Sequence, residues 1–381
     1  MNFYKLFSLV MLFVMVICSV PVTQVSALSE DELTAPSAIL MDMESGKVLY
    51  EKNSHEVRAC ASITKVMTLV LVMEAIDSGK IKLTDTVTAS AHAASMGGSD
   101  IWLEQGEQMT VDEMVKATIV ASANDAAVAL AEFVSGTEDE FVSQMNKKAK
   151  QLGMKETVFK NCNGLDEEGH VTSAYDVALM SRELCRHKKI FEYSGIWMDE
   201  LRGGKTQLVN TNKLLKTYSG ITGLKTGTTS QAGSCISATA ERDGLRLVAV
   251  VLGCTTGKER FSDASTLLDY GFANFAMYMP SLPKGAIKDI PVKNGMTDSI
   301  RTKSEINTSL LIGKGDTDKI KSEVVLPGEV EAPIKKGEVI GKIIYKNGSE
   351  QIAEYPIAAA ENAEQINFGD VFSMLIKSLA G

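Results

Sequence analysis

Residues 62–76 read Ser-Ile-Thr-Lys-Val-Met-Thr-Leu-Val-Leu-Val-Met-Glu-Ala-Ile. Between Val66 and Met73 only Thr68 is polar. The pattern predicts a helix that is apolar on every side, and such a helix lies in the middle of a domain rather than on its surface. Ser62 and Lys65 stand three apart, so both side chains share one helical face. A serine hydroxyl needs a base before it attacks a carbonyl, and the neighbouring amine is the candidate.

Outward from this helix the chain alternates strand and helix patterns. Residues 40–50 carry two short strand patterns joined at Ser45-Gly46. Helical spacing recurs at 111–120, 125–134, 139–152 and 173–187, with a loop signature at 161–166. Two strand-like runs, 234–241 and 245–252, flank Asp243-Gly244, a strong hairpin signal. A last helix over 261–276 is expected to close one sheet face. Residues 28–276 therefore read as one mixed α/β unit. Two prolines, Pro280 and Pro283, mark a boundary, and the hairpin signal at Lys346-Asn347-Gly348 lies inside a Lys-, Gly- and Val-rich stretch. Residues 284–360 are read as a small all-β domain. In 366–381, Val371, Phe372, Leu375 and Leu379 fall on one helical face and Asp370, Ser373 and Lys377 on another. That tail is expected to lie on a membrane surface.

Three short motifs follow in order. Ser62-Ile63-Thr64-Lys65 is S-x-x-K, Ser122-Ala123-Asn124 is S-x-N between two helices, and Lys225-Thr226-Gly227 is K-T-G, read as opening a strand. Each alone is weak; their order and context carry weight. Lys65 is a base only when neutral. With an ordinary pKa of about 10.4, neutrality at pH 7 costs about 4.6 kcal/mol. Burial beside a second cation lowers that cost, and Lys225 is read as that cation. Ser122 is placed to relay a proton to the leaving amine, and Asn124 to bond a substrate amide. The backbone N–H groups of Ser62 and Thr228 are candidates for an oxyanion hole. Thr226 offers a hydroxyl to a substrate carboxylate.

Other chemistries lack their motifs. His55, His92, His170 and His187 belong to no HExxH, and no GxSxG occurs. Each histidine reads as a surface or loop residue. No cofactor and no metal are expected. A net charge of −9 argues against a nucleic-acid surface. Residues 1–27 hold Lys5, an apolar run from Leu6 to Val20, and Val25-Ser26-Ala27 as a cleavage site, which reads as a signal peptide. The mature chain is thus expected outside the cytoplasmic membrane. Its five cysteines (Cys60, Cys162, Cys185, Cys235 and Cys254) have no CxxC spacing, so buried free thiols are expected.

With these residues the chain resembles the low-molecular-mass penicillin-binding proteins, the serine-type D-alanyl-D-alanine carboxypeptidases. The likeness extends to Asn163-Gly164-Leu165-Asp166, Ser173-Ala174-Tyr175-Asp176 and Gly223-Leu224 before K-T-G. It implies a transpeptidase/β-lactamase-like α+β catalytic domain, an antiparallel sheet flanked by helices, with a small C-terminal all-β domain. It implies acylation of Ser62 by the D-Ala-D-Ala end of peptidoglycan stem peptides, with Lys65 as general base, Ser122 as relay, and Asn124, Lys225, Thr226, Gly227 and Thr228 lining the substrate. It also implies β-lactam antibiotics as inhibitors, and Arg260 as the reader of the terminal carboxylate. Many members carry histidine after K-T-G; this chain has Thr228. Two alternatives share the acylation step. A β-lactamase needs an extra carboxylate base, for which only Asp199-Glu200 offers itself, and a non-hydrolytic β-lactam- or cell-wall-binding protein would acylate without turnover.

Overall fold

A computed structural model describes residues 28–380; the signal peptide expected at 1–27 lies outside the described residues. The central sheet holds β1 (Ser37–Asp42), β2 (Val48–Lys52), β3 (Ile221–Thr229), β4 (Gly233–Arg242) and β5 (Leu245–Cys254), in the order β2-β1-β5-β4-β3. Every pairing in it is antiparallel. The β4–β5 hairpin turns at Asp243 and Gly244, both with positive φ, as a type I′ turn demands.

The helical part contributes α1 (Lys65–Asp77), α2 (Val111–Lys116), α3 (Asn124–Ser135), α4 (Glu138–Leu152) and α5 (Ala174–Arg186), and α6 (Gly257–Asn274) covers the opposite sheet face. Alternation along β5 shows why the sheet is sandwiched. Val248, Val250 and Leu252 join the core cluster that contains α1, while Leu247, Ala249 and Val251 join the cluster beneath α6. As its pattern requires, α1 is buried on all sides, Val66 to Met73 included.

Three local expectations shift. Ser62 does not stand on α1 itself: Ala61–Thr64 form one tighter 3₁₀ turn that runs into it. The K-T-G triplet does not open its strand, because β3 already begins at Ile221 and a bulge near Gly223 absorbs the glycine. The helix expected over 111–120 widens after Lys116 into a π turn, Ala117–Ala121. That turn ends at Ser122 in the left-handed region, φ 65. π turns of this kind concentrate at functional sites. The reversal presents Ser122 and Asn124 from the junction of two helices.

Beyond α6 the chain forms β6 (Phe275–Tyr278), β7 (Asp289–Lys293), β8 (Ser299–Lys303), β9 (Leu310–Gly313), β10 (Ile320–Val325), β11 (Val330–Glu331), β12 (Val339–Asn347) and β13 (Glu350–Ala359). Six of them make a sheet in the order β10-β12-β13-β8-β7-β11. β6 continues directly from α6 and pairs with β9, so backbone hydrogen bonds tie the end of the first unit to the β-rich unit. The tail is a helix, α7 (Phe368–Ala380), whose Phe368, Val371, Phe372, Leu375 and Leu379 are all exposed. Among the described residues no helix is long and apolar enough to cross a membrane. All five cysteines of the described residues are free and buried.

Candidate active site

The site forms where the 3₁₀ turn at Ser62 packs against β3. Close approach is possible only because two facing residues are glycines. A Cβ on Gly227 would meet Cys60 O at 2.7 Å and Ser62 N at 2.9 Å; one on Gly164 (φ +85) would meet Ala61 O at 2.0 Å. The Ala61–Ser62 peptide is thus clamped from both sides. Ser62 itself stays partly accessible, whereas Lys65 is completely buried.

Lys65 Nζ has three acceptors. They are Ser62 Oγ at 3.0 Å, Asn124 Oδ1 at 2.5 Å and the Asn163 carbonyl at 2.6 Å. Two of them, an amide and a peptide carbonyl, accept only. A neutral amine therefore spends both hydrogens on Asn124 and Asn163 and turns its lone pair to the Ser62 hydroxyl. Burial pulls the Lys65 pKa down from its ordinary value to about 7, against the opposing influence of Cys162 and Asp125. The sequence reading gave that work to Lys225. The structure assigns it first to desolvation, which penalises a charged amine whatever its neighbours.

Lys225 is also buried, and its Nζ donates to Ser122 Oγ and to the Thr226 carbonyl, both at 2.9 Å. Burial again leads, and the charges of Lys65 and Arg260 push its pKa further down. Ser122, receiving a hydrogen bond from Lys225, keeps its own hydroxyl proton to donate. Asn124 is engaged on both ends of its amide, since Nδ2 donates to the Gly97 carbonyl at 2.6 Å. It holds Lys65 and the 97–98 turn together.

The remaining candidates lie along β3 and at the start of α6. The Thr226 hydroxyl donates to Thr211 Oγ1 at 2.7 Å. Thr228 is exposed, and its hydroxyl donates to the Gly227 carbonyl at 2.8 Å. A capping box of Thr256 and Glu259 starts α6 and sets Arg260 in its first turn. Arg260 Nη1 donates to Gly227 O at 2.9 Å and Thr228 Oγ1 at 2.7 Å. Hydrogen bonds join Ser62, Lys65 and Asn124 in one group, Ser122, Lys225 and Thr226 in a second, and Gly227, Thr228 and Arg260 in a third, and the close packing of Gly227 on the Ser62 turn sets the first and third side by side. Asp199 belongs to none of them: its carboxylate pairs with Lys116 at 3.0 Å.

One histidine is not at the surface. His170 stands in a loop, as expected, but is buried there, and its Nε2 lies 2.7 Å from Thr64 Oγ1. Sequence reading also assigned no role to the Asn163 carbonyl. Its only signal was the Asn-Gly-Leu-Asp stretch, in which Gly164 lets the loop reach the Ser62 turn.

Comparison with known proteins points to one family. The Peptidase S11 family, described as D-alanyl-D-alanine carboxypeptidase, matches residues 23–256, and the penicillin-binding protein 5 C-terminal domain matches 279–365. The chain is 46% identical over 338 residues to D-alanyl-D-alanine carboxypeptidase DacF of Bacillus subtilis, covering 88% of this chain and 87% of DacF. The crystal structure of penicillin-binding protein 5 from Haemophilus influenzae aligns with a TM-score of 0.76 at 32% identity, covering 89% of this chain and all of that one. Penicillin-binding protein D2 of Listeria monocytogenes, in its ampicillin-bound form, aligns with a TM-score of 0.58 at 34% identity, covering 63% of this chain and 98% of that one.

If neutral Lys65 takes the serine proton, acylation needs the deprotonated amine. The second-order rate constant for acylation by benzylpenicillin should climb about tenfold per pH unit below the Lys65 pKa and level off above about 7. A rate that is flat from pH 5 to pH 9 contradicts the assignment.

Proposed function

The chain belongs to the D-alanyl-D-alanine carboxypeptidase family, and from that premise we propose how its own residues carry out the reaction. The enzyme is a serine-type carboxypeptidase with the penicillin-binding fold. Its substrate is a peptidoglycan stem peptide ending in D-Ala-D-Ala, and β-lactams acylate the same serine. The observation that carries the assignment of roles is Lys65, buried, with two acceptors that only accept and the Ser62 hydroxyl at 3.0 Å.

β3 is an edge strand of its sheet, so an extended peptide is able to add alongside it through main-chain hydrogen bonds. Arg260 holds the terminal carboxylate together with the Thr226 hydroxyl, which turns from Thr211 to donate to it, and Lys225 adds positive charge. The Ser62 proton passes to Lys65 as Oγ attacks the carbonyl carbon of the penultimate D-alanine. The negative oxygen that forms is received by the N–H groups of Ser62 and Thr228. Ser122 delivers its proton to the leaving amine and takes a replacement from Lys65, which returns to the neutral amine; the C–N bond breaks, and D-alanine departs. Water, deprotonated by Lys65, then cleaves the Ser62 ester. Nothing near Asp199-Glu200 supports a dedicated lactamase base, since Asp199 is spent on Lys116.

The domain reading is a catalytic unit over 28–276 and a β unit over 284–360. The structure extends the latter's bridges to Ala363 and Gln365. Residues 1–27 act as the export signal, and α7 lies on the outer face of the membrane, its exposed Phe368, Phe372, Leu375 and Leu379 facing the acyl chains.

The purified enzyme should release D-alanine from diacetyl-Lys-D-Ala-D-Ala, and Ser62→Ala should cut that rate by at least about 10⁴-fold. Penicillin should remain bound at Ser62 for minutes, seen by intact-protein mass spectrometry. A folded wild type that releases no D-alanine overturns the reading. For the tail, protein without its leader should sediment with phospholipid vesicles, and a version also lacking 366–381 should stay in solution; equal partition of the two contradicts membrane contact.

A further inference from the structure

The Ala61–Ser62 peptide carries two functions on one plane. Its N–H is the Ser62 donor of the oxyanion hole. Its carbonyl, trans to that N–H, points the opposite way and accepts the Thr64 hydroxyl at 2.9 Å. Thr64 is fully buried, so this bond does not compete with water. Behind Thr64 stands His170, with Nε2 at 2.7 Å from Thr64 Oγ1. The Lys160 N–H donates to His170 Nδ1 at 3.2 Å, which leaves the proton on Nε2 and makes the ring a donor to Thr64. Thr64, having accepted from the ring, gives its own proton to Ala61. The Cys60 thiol, 3.5 Å from Thr64 Oγ1, is the other polar neighbour; burial pushes its pKa up to about 12, so it stays neutral.

We propose that Thr64 and His170 are positioning residues for the oxyanion hole: a relay of donors from Lys160 through His170 and Thr64 to the Ala61 carbonyl fixes and polarises the peptide whose N–H receives the negative oxygen. Each bond in such a chain strengthens the next. A hydrogen bond at the carbonyl draws electron density from the amide nitrogen and makes its N–H a better donor. The conformation needs an anchor, because Ala61 has φ 51, a region unfavourable for a residue with a Cβ. Gly164 and Gly227 limit the space on either side of the peptide, and Thr64 supplies the directed bond that sets its tilt.

The inference rests on Ser62 being the acylated nucleophile, and the test separates the two. Thr64→Val keeps the shape and removes the hydroxyl. Its acylation and deacylation by benzylpenicillin should both slow by about tenfold or more, because both steps pass through the same oxyanion. Non-covalent affinity should change less than about twofold. Thr64→Ser should restore both rates, and His170→Phe, which keeps a ring beside Phe159 without the donor, should fall between. In the penicilloyl enzyme the ester carbonyl stretch should move to higher frequency in Thr64→Val, reporting a weaker oxyanion hole. Unchanged rates and an unchanged stretch overturn the proposal. So does a Thr64→Val variant whose slower acylation comes entirely from weaker non-covalent binding. A wild type that penicillin does not acylate at Ser62 would instead defeat the reading of the nucleophile.

Discussion

A lysine amine sealed from water is the constraint from which the rest of this site follows. Carrying a charged Lys65 into the interior is costly, and the protein answers by giving the neutral form three partners and no solvent. Two of those partners accept only. The third is the Ser62 hydroxyl, which loses its proton in the proposed acylation. In that proposal the base is made by where the helix is buried, and the identity of the residue supplies only the nitrogen.

That placement depends on the whole fold. α1 is apolar all round because it fills the space between the sheet and the other helices, and it carries Lys65 inward at its first residue. Asn124 comes from the head of α3 and the Asn163 carbonyl from the loop before α5, so three segments converge on one nitrogen. Two glycines let the Ser62 turn sit against β3 and the 163–164 loop at backbone distance. Lys225 and Ser122 approach from the other side. Two amines so enclosed resist being charged together.

Much of this was readable in the sequence because the decisive residues are short, ordered motifs. S-x-x-K, S-x-N and K-T-G carried their own chemistry, and Asp243-Gly244 announced the hairpin that the sheet contains. Burial was legible for α1, whose apolar run has no polar face, and that implied a buried Lys65. What escaped was anything set by tertiary contact between backbone and side chain. The Asn163 carbonyl has no side-chain signature. His170 looks like any loop histidine until Thr64 is placed 2.7 Å away. The greater weight of desolvation over Lys225 in neutralising Lys65 emerged only when both amines were seen to be buried. Phe275 and Ala276, the first two residues of the strand Phe275–Tyr278, were read as the end of a helix, because aromatic and apolar residues fit either period; pairing with Leu310–Gly313 decides it.

The central claim is that Lys65 is neutral near physiological pH. It is tested most directly by following its side chain through a pH titration, using ¹³C NMR on the Cε of labelled lysine with Lys65→Arg to assign the signal. The account predicts a midpoint near the value of about 7 that burial imposes. A Lys65 signal that stays in the charged position until pH rises to about 10, like an ordinary exposed lysine, would contradict it.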